Sequence, residues 1–180
     1  LTVYSTTPAK RELFAKELAR ELNVPCRAVG QPEQAVREAN LVVCAARSHD
    51  ESPVINGDWL TPGTLLVSIG STIPEQRELD LRSIERSDLI ICDMLHEVVD
   101  ETGDFIAAKK QGLPFEDKLG TLNELLLGRL DARVKAARLP MYKSVGAALQ
   151  DLTVAELAYR RALEQGKARE LDFELTVQHV

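Results

Sequence analysis

Three short runs of small and hydroxylated residues each end an apolar stretch. They are Ser5-Thr6-Thr7 after "LTVY", Ala45-Ala46-Arg47 after "LVVC", and Gly70-Ser71-Thr72 after "LLVSI". Small side chains let a backbone approach a bound molecule closely, and hydroxyls both donate and accept hydrogen bonds. A fourth candidate is Lys143-Ser144-Val145-Gly146, placed by its surroundings at the opening of a long helix. Free backbone N–H groups, a hydroxyl and a glycine at such a start suit an amide or an anionic group. An N-cap with a packing glycine accounts for the same four residues. Acid–base candidates are few. Asp88 and Asp93 flank a strand and Glu75 and Glu78 follow the glycine turn, positions at which charged residues are usually solvated. His49 falls in a loop and His96 on a helix, and no Ser/His/Asp arrangement follows from spacing. Cys26, Cys44 and Cys92 form no CxxC pair. Reduced thiols in a cytoplasmic protein are expected, with no disulfide and no metal site.

The elements that must position these residues alternate regularly. "LTVYS" is a short β-branched run, followed by a helix over "TTPAKRELFAKELAREL" with Thr7 as N-cap and Pro8 at the first helical position. "VPCRAV" predicts a strand and "QPEQAVREA" two helical turns. "NLVVCAA", "TLLVSIG" and "DLIICD" lack polar alternation, as expected of strands covered on both faces. Between them lie a loop rich in turn formers, "ESPVINGDWLTPGT", and a short helix at "DLRSIERS". The pattern predicts an α/β fold: a Rossmann-like, doubly wound, mainly parallel sheet, followed by C-terminal helices. Right-handed crossovers put every strand's carboxyl end on one rim, where open sheets of this kind bind ligands.

Residues 1–118 are accordingly expected to form the sheet domain and residues 119–180 a C-terminal helical segment. Within the latter, "TLNELLLGRL" is a short amphipathic helix. "MYKSVGAALQDLTVAELAYRRALEQG" is a long one between Pro140 and Gly166, with Val145, Leu149, Leu152, Ala155, Tyr159 and Leu163 along one stripe. Leu171, Phe173, Leu175 and Val177 alternate in a terminal extended arm. The 180 residues carry 44% apolar and 28% charged side chains and a formal charge of -6, so no basic face is available for nucleic acid. No apolar run approaches the length of a membrane span.

A dinucleotide-binding sheet needs a glycine-rich turn after its first strand, and no GxGxxG occurs. The chain begins inside a strand and without Met, so "LTVYS" is expected to be the second strand, with the first lying upstream. The second strand of an NAD site ordinarily ends in an acidic residue that holds the adenosine ribose. Here that position reads Ser5-Thr6-Thr7, with Lys10 and Arg11 close behind. Hydroxyls and cations tolerate a 2′-phosphate, so NAD(P) with a lean towards NADP(H) is expected. Lys10 and Arg11 serve equally well as the solvated face of a helix.

"SPVINGDWLTPGT", a strand, "IGS..PEQRELD" and, much later, "KSVGAALQDL" resemble the ornithine cyclodeaminase/mu-crystallin family, over Leu1 to about Gly166. The resemblance rests on "VVCAARSHDESPVINGDWLTPGTLLVSIGSTIPEQREL", "DLIICD" and "MYKSVGAALQDLTVAELAY". It implies an upstream domain that dimerises the protein and carries the Lys and Arg side chains for a substrate carboxylate. It also implies an NAD(P)-dependent enzyme, in which Ser5, Thr6 and Thr7 border the adenosine ribose and Ala45, Ala46 and Arg47 line the middle of the cofactor. Gly70, Ser71 and the catalytic Thr72 would lie nearest the nicotinamide and substrate, and Ser144, Val145 and Gly146 near the carboxamide. Ornithine cyclodeaminases resemble "GGDxPGKTEL" at this turn, where the aspartate serves catalysis. Thr72 occupies the matching position and is no carboxylate base at neutral pH. Members with a Ser- or Thr-rich turn and "PE.REL" look more like ketimine or pyrroline-2-carboxylate reductases. The expectation is a homodimeric reductase of a cyclic imine. The alternatives are an ornithine cyclodeaminase and a nucleotide-binding protein without turnover.

Overall fold

The structure is a computed structural model that describes residues 1–46, 48 and 52–169. Two compact units divide the chain, Leu1–Gly146 and Ala147–Val180. In the first, β1 (Thr2–Val3) leads into α1 (Pro8–Leu22), and β2 (Arg27–Ala28) into α2 (Pro32–Val36). The chain continues through β3 (Leu41–Cys44), β4 (Leu65–Ser68), α3 (Leu81–Arg86), β5 (Leu89–Cys92), α4 (Leu95–Glu101) and α5 (Gly103–Lys110). It ends with β6 (Leu119–Thr121), α6 (Leu122–Leu126), α7 (Asp131–Ala136) and β7 (Pro140–Lys143). All strand pairs are parallel. β1 and β2 form a two-stranded sheet, and the other five form a second sheet in the order β3-β4-β7-β5-β6. This is the α/β architecture that the alternation of elements predicts. No helix among the described residues is long and apolar enough to cross a membrane.

Local chemistry accounts for the element boundaries. Thr7 occupies the N-cap position of α1 without a side-chain capping hydrogen bond, and Pro8 stands in the first turn, as the sequence indicates. Asp80 caps α3 through its side chain, which accepts from the Ser83 backbone N–H at 2.8 Å. β5 is buried at every residue, which its unbroken apolar run requires. β3 differs. Val42 and Cys44 face the core, but Leu41 and Val43 are 53% and 59% exposed, so only one face is covered. As the edge strand of its sheet, β3 keeps an apolar outer face without a covering layer among the described residues.

Two expectations need revision beyond residue 118. The five-stranded sheet takes β6 and β7 from this region, and β7 sits at its centre, between β4 and β5. "PMYK" is therefore strand and not the opening of the long helix. Met141 and Lys143 are buried while Tyr142 is not, a period of two, and a proline at the first residue costs the ladder nothing. Gly146 then adopts a left-handed φ of 81°, which separates strand from helix. The second unit contains α8 (Ala148–Glu164), on which Leu149, Leu152, Tyr159 and Leu163 stand exposed. The arm expected over residues 171–177 lies outside the described residues.

The larger core cluster packs helices against one face of the five-stranded sheet, and a smaller one, of Leu89, Ile91 and Leu130, lies on the other. The larger includes Leu60, Leu66, Leu79, Ile84, Ile90, Phe105, Phe115 and Met141. Phe105 and Phe115 meet edge to face, with ring centroids 5.1 Å apart and both side chains fully buried. Truncating Phe105 removes that contact and leaves a cavity in a fully buried region. Phe105→Ala should cost about 3–5 kcal/mol, read as a lowered midpoint in urea unfolding.

Candidate functional site

Parallel pairing places the carboxyl ends of β3, β4, β7 and β5 side by side. At β4 the chain passes Ile69, whose N–H donates to Cys44 O at 2.9 Å, and reaches Gly70. A Cβ at Gly70 would strike the Ala46 carbonyl and the Glu78 carboxyl, so only glycine fits between them. Ser71 is fully buried and its hydroxyl closes the turn by donating to Gln76 O at 2.7 Å. Thr72 is half-buried beside it, and Ala45 and Ala46 are exposed on the adjoining β3 end.

Beneath this turn lies a buried polar cluster. The Lys143 ammonium, with no exposed surface, donates to Ser68 Oγ at 3.0 Å, Ser71 O at 2.8 Å and Asp104 Oδ2 at 3.3 Å. Ser68 Oγ in turn donates to Glu78 Oε2 at 2.5 Å, and Glu78 Oε2 stands 3.9 Å from Lys143 Nζ. Asp104 Oδ1 accepts from the N–H groups of Glu78 and Leu79, at 2.9 and 3.0 Å. Burial pushes the Glu78 carboxyl above its usual range. The Ser68 hydrogen bond and the Lys143 charge pull the other way without cancelling it. Glu78 is thus no solvated residue after a turn; the sequence offered it and Lys143 as candidates in other roles, and gave no sign of Asp104 or of the cluster that joins the three. The one available signal was the period of two in "PMYK", which sets Lys143 on the same buried face as Met141.

Next along the rim, Asp93 holds the segment that follows β7. Its carboxylate accepts from Ser144 Oγ at 2.6 Å, Gly146 N at 2.9 Å and Val145 N at 3.2 Å, and from Met94 N at 2.8 Å. Ser144 N donates to Ser68 O at 3.0 Å. The N–H groups of residues 144–146 are therefore engaged within the protein and are not the free donors of a helix start. Asp88 is likewise engaged, accepting from the N–H groups of Arg138 and Leu139 at 2.7 and 3.1 Å.

The Ser5-Thr6-Thr7 run joins β1 to α1 in the two-stranded sheet, with Thr6 and Thr7 exposed. Arg11 turns back onto this junction. Its guanidinium donates to Ser5 O at 3.0 Å and stands 6.0 Å from the centre of the Tyr4 ring. Lys10 is exposed, and so is His96 on α4. Arg47 and His49 lie outside the described residues. All three cysteines are free thiols. Burial, aided by Asp93, pushes Cys92 up to about 12, and burial, aided by Glu78, pushes Cys44 higher still, so neither is a thiolate near neutrality. Among the described residues no group of three or more His, Cys, Asp or Glu is arranged to hold a metal ion.

Burial opposes ionisation of Asp93, but the hydrogen bonds from Ser144 and from the Met94, Val145 and Gly146 amides outweigh it and hold the carboxyl below the usual aspartate range. A folded-state value below the unfolded one contributes stability that is present at neutral pH and lost as pH falls through the folded value. Asp93→Asn should therefore lower stability near neutrality by about 1–2 kcal/mol, allowing for partial exposure. The difference from wild type should vanish in strong acid, as followed by urea unfolding across pH.

Comparison with known proteins agrees with this geometry. The model of the ornithine cyclodeaminase/mu-crystallin family matches residues 1–166. A Delta(1)-pyrroline-2-carboxylate reductase of Bacillus cereus is 29% identical over 172 residues, covering 95% of this chain and 52% of the relative. The structure of Thermococcus litoralis Delta(1)-pyrroline-2-carboxylate reductase in complex with NADH and L-proline superposes with a TM-score of 0.86 at 29% identity, over 94% of this chain and 52% of that one. A "probable ornithine cyclodeaminase" from Bordetella pertussis gives a TM-score of 0.76 at 30% identity, over 92% and 52% of the two chains. The chain thus spans about half the length of the relatives it matches. With its whole first unit inside the matched residues, it belongs to the ornithine cyclodeaminase/mu-crystallin family.

Proposed function

We propose that this chain is the dinucleotide-binding part of an NAD(P)H-dependent oxidoreductase that reduces a cyclic imine of the pyrroline-2-carboxylate type to an amino acid. The observation that carries it is the turn at the end of β4. It offers the Thr72 hydroxyl beside a close-approach glycine, and no carboxylate at position 72, above a buried ion cluster. The donor set fits the cofactor. Exposed alanines at the end of β3 leave room for a flat ligand, and hydroxyls at the end of β1 leave room for a ribose or its 2′-phosphate. On this reading Ser5, Thr6 and Thr7 border the adenosine ribose, and Ala45, Ala46 and Arg47 line the middle of the cofactor. Gly70, Ser71 and Thr72 flank the nicotinamide, and Ser144, Val145 and Gly146 the carboxamide. Bound NAD(P)H supplies the hydride for the C=N carbon.

The residues of this chain then have modest tasks. Ser71 is consumed in closing the turn, which leaves the Thr72 hydroxyl as the group able to hydrogen-bond a substrate nitrogen or its water. An iminium that accepts hydride needs no carboxylate base at this position, whereas deamination of ornithine does. The same reading makes the protein a cytoplasmic homodimer acting on a small amino-acid-derived substrate. The relatives named as reductases support this activity for the intact protein.

The test is NAD(P)H oxidation by the intact protein with pyrroline-2-carboxylate. Turnover that depends on the imine is expected, and Thr72→Val should lower kcat by about tenfold or more while leaving the affinity for NAD(P)H within about twofold. Ammonia release from ornithine with no imine reduction would overturn the proposal in favour of a cyclodeaminase. Saturable NAD(P)H binding without either reaction would favour a nucleotide-binding protein. Parallel fluorescence titrations should show NADPH binding at least as tightly as NADH, because no acidic residue ends β1. A clear preference for NADH would remove the proposed role of Ser5, Thr6 and Thr7 beside a 2′-phosphate.

A further inference from the structure

We infer that Lys143 is a positioning residue, whose buried ammonium fixes the peptide between Ser71 and Thr72 and thereby sets where Thr72 stands at the reacting centre. The inference rests on the imine-reductase reading for its catalytic consequence, but its geometry is independent of that reading.

A lysine ammonium has three N–H donors, and here each has its own acceptor in a different part of the structure. Ser68 Oγ is at the end of β4, Ser71 O lies within the turn, and Asp104 Oδ2 is at the start of α5. Burying a cation this completely is unfavourable before its partners are counted, and an apolar residue of like size would pack a sheet end at less cost. The acceptors show what the ammonium adds. A carbonyl oxygen is rigidly coplanar with the amide that follows it, so anchoring Ser71 O orients the whole plane up to the Thr72 Cα. Thr72 is left with its own two dihedrals and little else.

The far end of the same loop is tied to the same cluster. Asp104 takes Lys143 on one oxygen and the Glu78 and Leu79 N–H groups on the other. Gly103, one residue earlier, donates its N–H to Ile73 O at 3.2 Å. The loop that carries Thr72 is thus pinned before and after it to one ion pair, and Lys143 is the one member that reaches the Ser71–Thr72 peptide itself.

The test compares the intact wild-type protein with Lys143→Met and with the charge-balanced Lys143→Met/Asp104→Asn, which keeps an oxygen for the Glu78 and Leu79 amides. Hydrogen exchange should rise about tenfold or more in the peptide spanning residues 69–76 of the double variant, with β3 and β5 as protected as before. Its kcat for imine reduction should fall by about tenfold to a hundredfold, while the Kd for NAD(P)H stays within about twofold. Unchanged exchange in residues 69–76 would overturn the inference, as would a loosened turn with unchanged kcat. Exchange that rises throughout, with activity tracking the folded fraction, would make Lys143 a stability residue and overturn it too. If the wild-type protein reduces no imine, the function proposed above falls, and exchange in residues 69–76 alone supports or overturns the clamp.

Discussion

A buried ammonium must find an acceptor for every one of its N–H groups, and that demand from Lys143 organises the rim of this sheet. Ser68, Ser71 and Asp104 come from β4, the turn after it and α5, and the Lys143–Ser68 and Lys143–Asp104 hydrogen bonds span 75 and 39 positions of sequence. The cluster therefore cannot form until β4, β7 and α5 are assembled. Once formed, it resists small displacements, because a shift that lengthens one bond strands a charge without water. The second carboxylate, Glu78, is bound through Ser68 and stands 3.9 Å from Lys143 Nζ. Asp104 has further cationic company in Arg77, whose Nε lies 3.9 Å away. The glycine at position 70 belongs to the same constraint, since a side chain there would enter the space of the Glu78 carboxyl.

β7 carries the consequence across the rim. Successive residues of a strand point to opposite faces, and at its carboxyl end Lys143 enters the cluster under the β4 turn while Ser144 reaches Asp93 at the end of β5. Two neighbouring residues, the last of the central strand and the one after it, thus fix the loops on both sides of it. Backbone pairing joins the two anchors, because Ser144 N donates to Ser68 O. The buried Lys143 cluster and the Asp93 anchor are consequently parts of one scaffold.

The alternation of helices and strands was legible because each element carries a local signal. Thr7-Pro8 at the start of α1, the unbroken apolar run of β5 and the capping Asp80 of α3 act within a few residues of themselves. The rim of small residues at Ala45-Ala46 and Gly70-Ser71-Thr72 was legible for the same reason. β7 was not. Its four residues adjoin a strongly helical pattern, and a lysine in "PMYK" reads as surface because lysines are almost never fully buried without a partner. Its partners lie far away in sequence, so nothing local discloses them. Asp104, and the buried cluster that Glu78 and Lys143 form with it, escaped notice on the same grounds. Where burial of charge is decided by tertiary contacts, composition and periodicity do not name the partners, and the period of two in "PMYK" marks a buried face and no more.

The cluster also bears on why a hydroxyl suits position 72. Glu78 and Asp104 already place two carboxyls beneath the turn, and burial alone is enough to push Glu78 above its ordinary range. A further carboxylate on the same turn would add like charge to a site whose one buried ammonium has each of its three donors committed. It would either take up a proton or loosen the network that positions it. A threonine adds no charge and keeps a donor and an acceptor at the rim. On the proposed imine-reductase reading, geometry and a hydrogen bond are what the protein must supply, and a turn with a hydroxyl at position 72, held by a buried lysine, is suited to both.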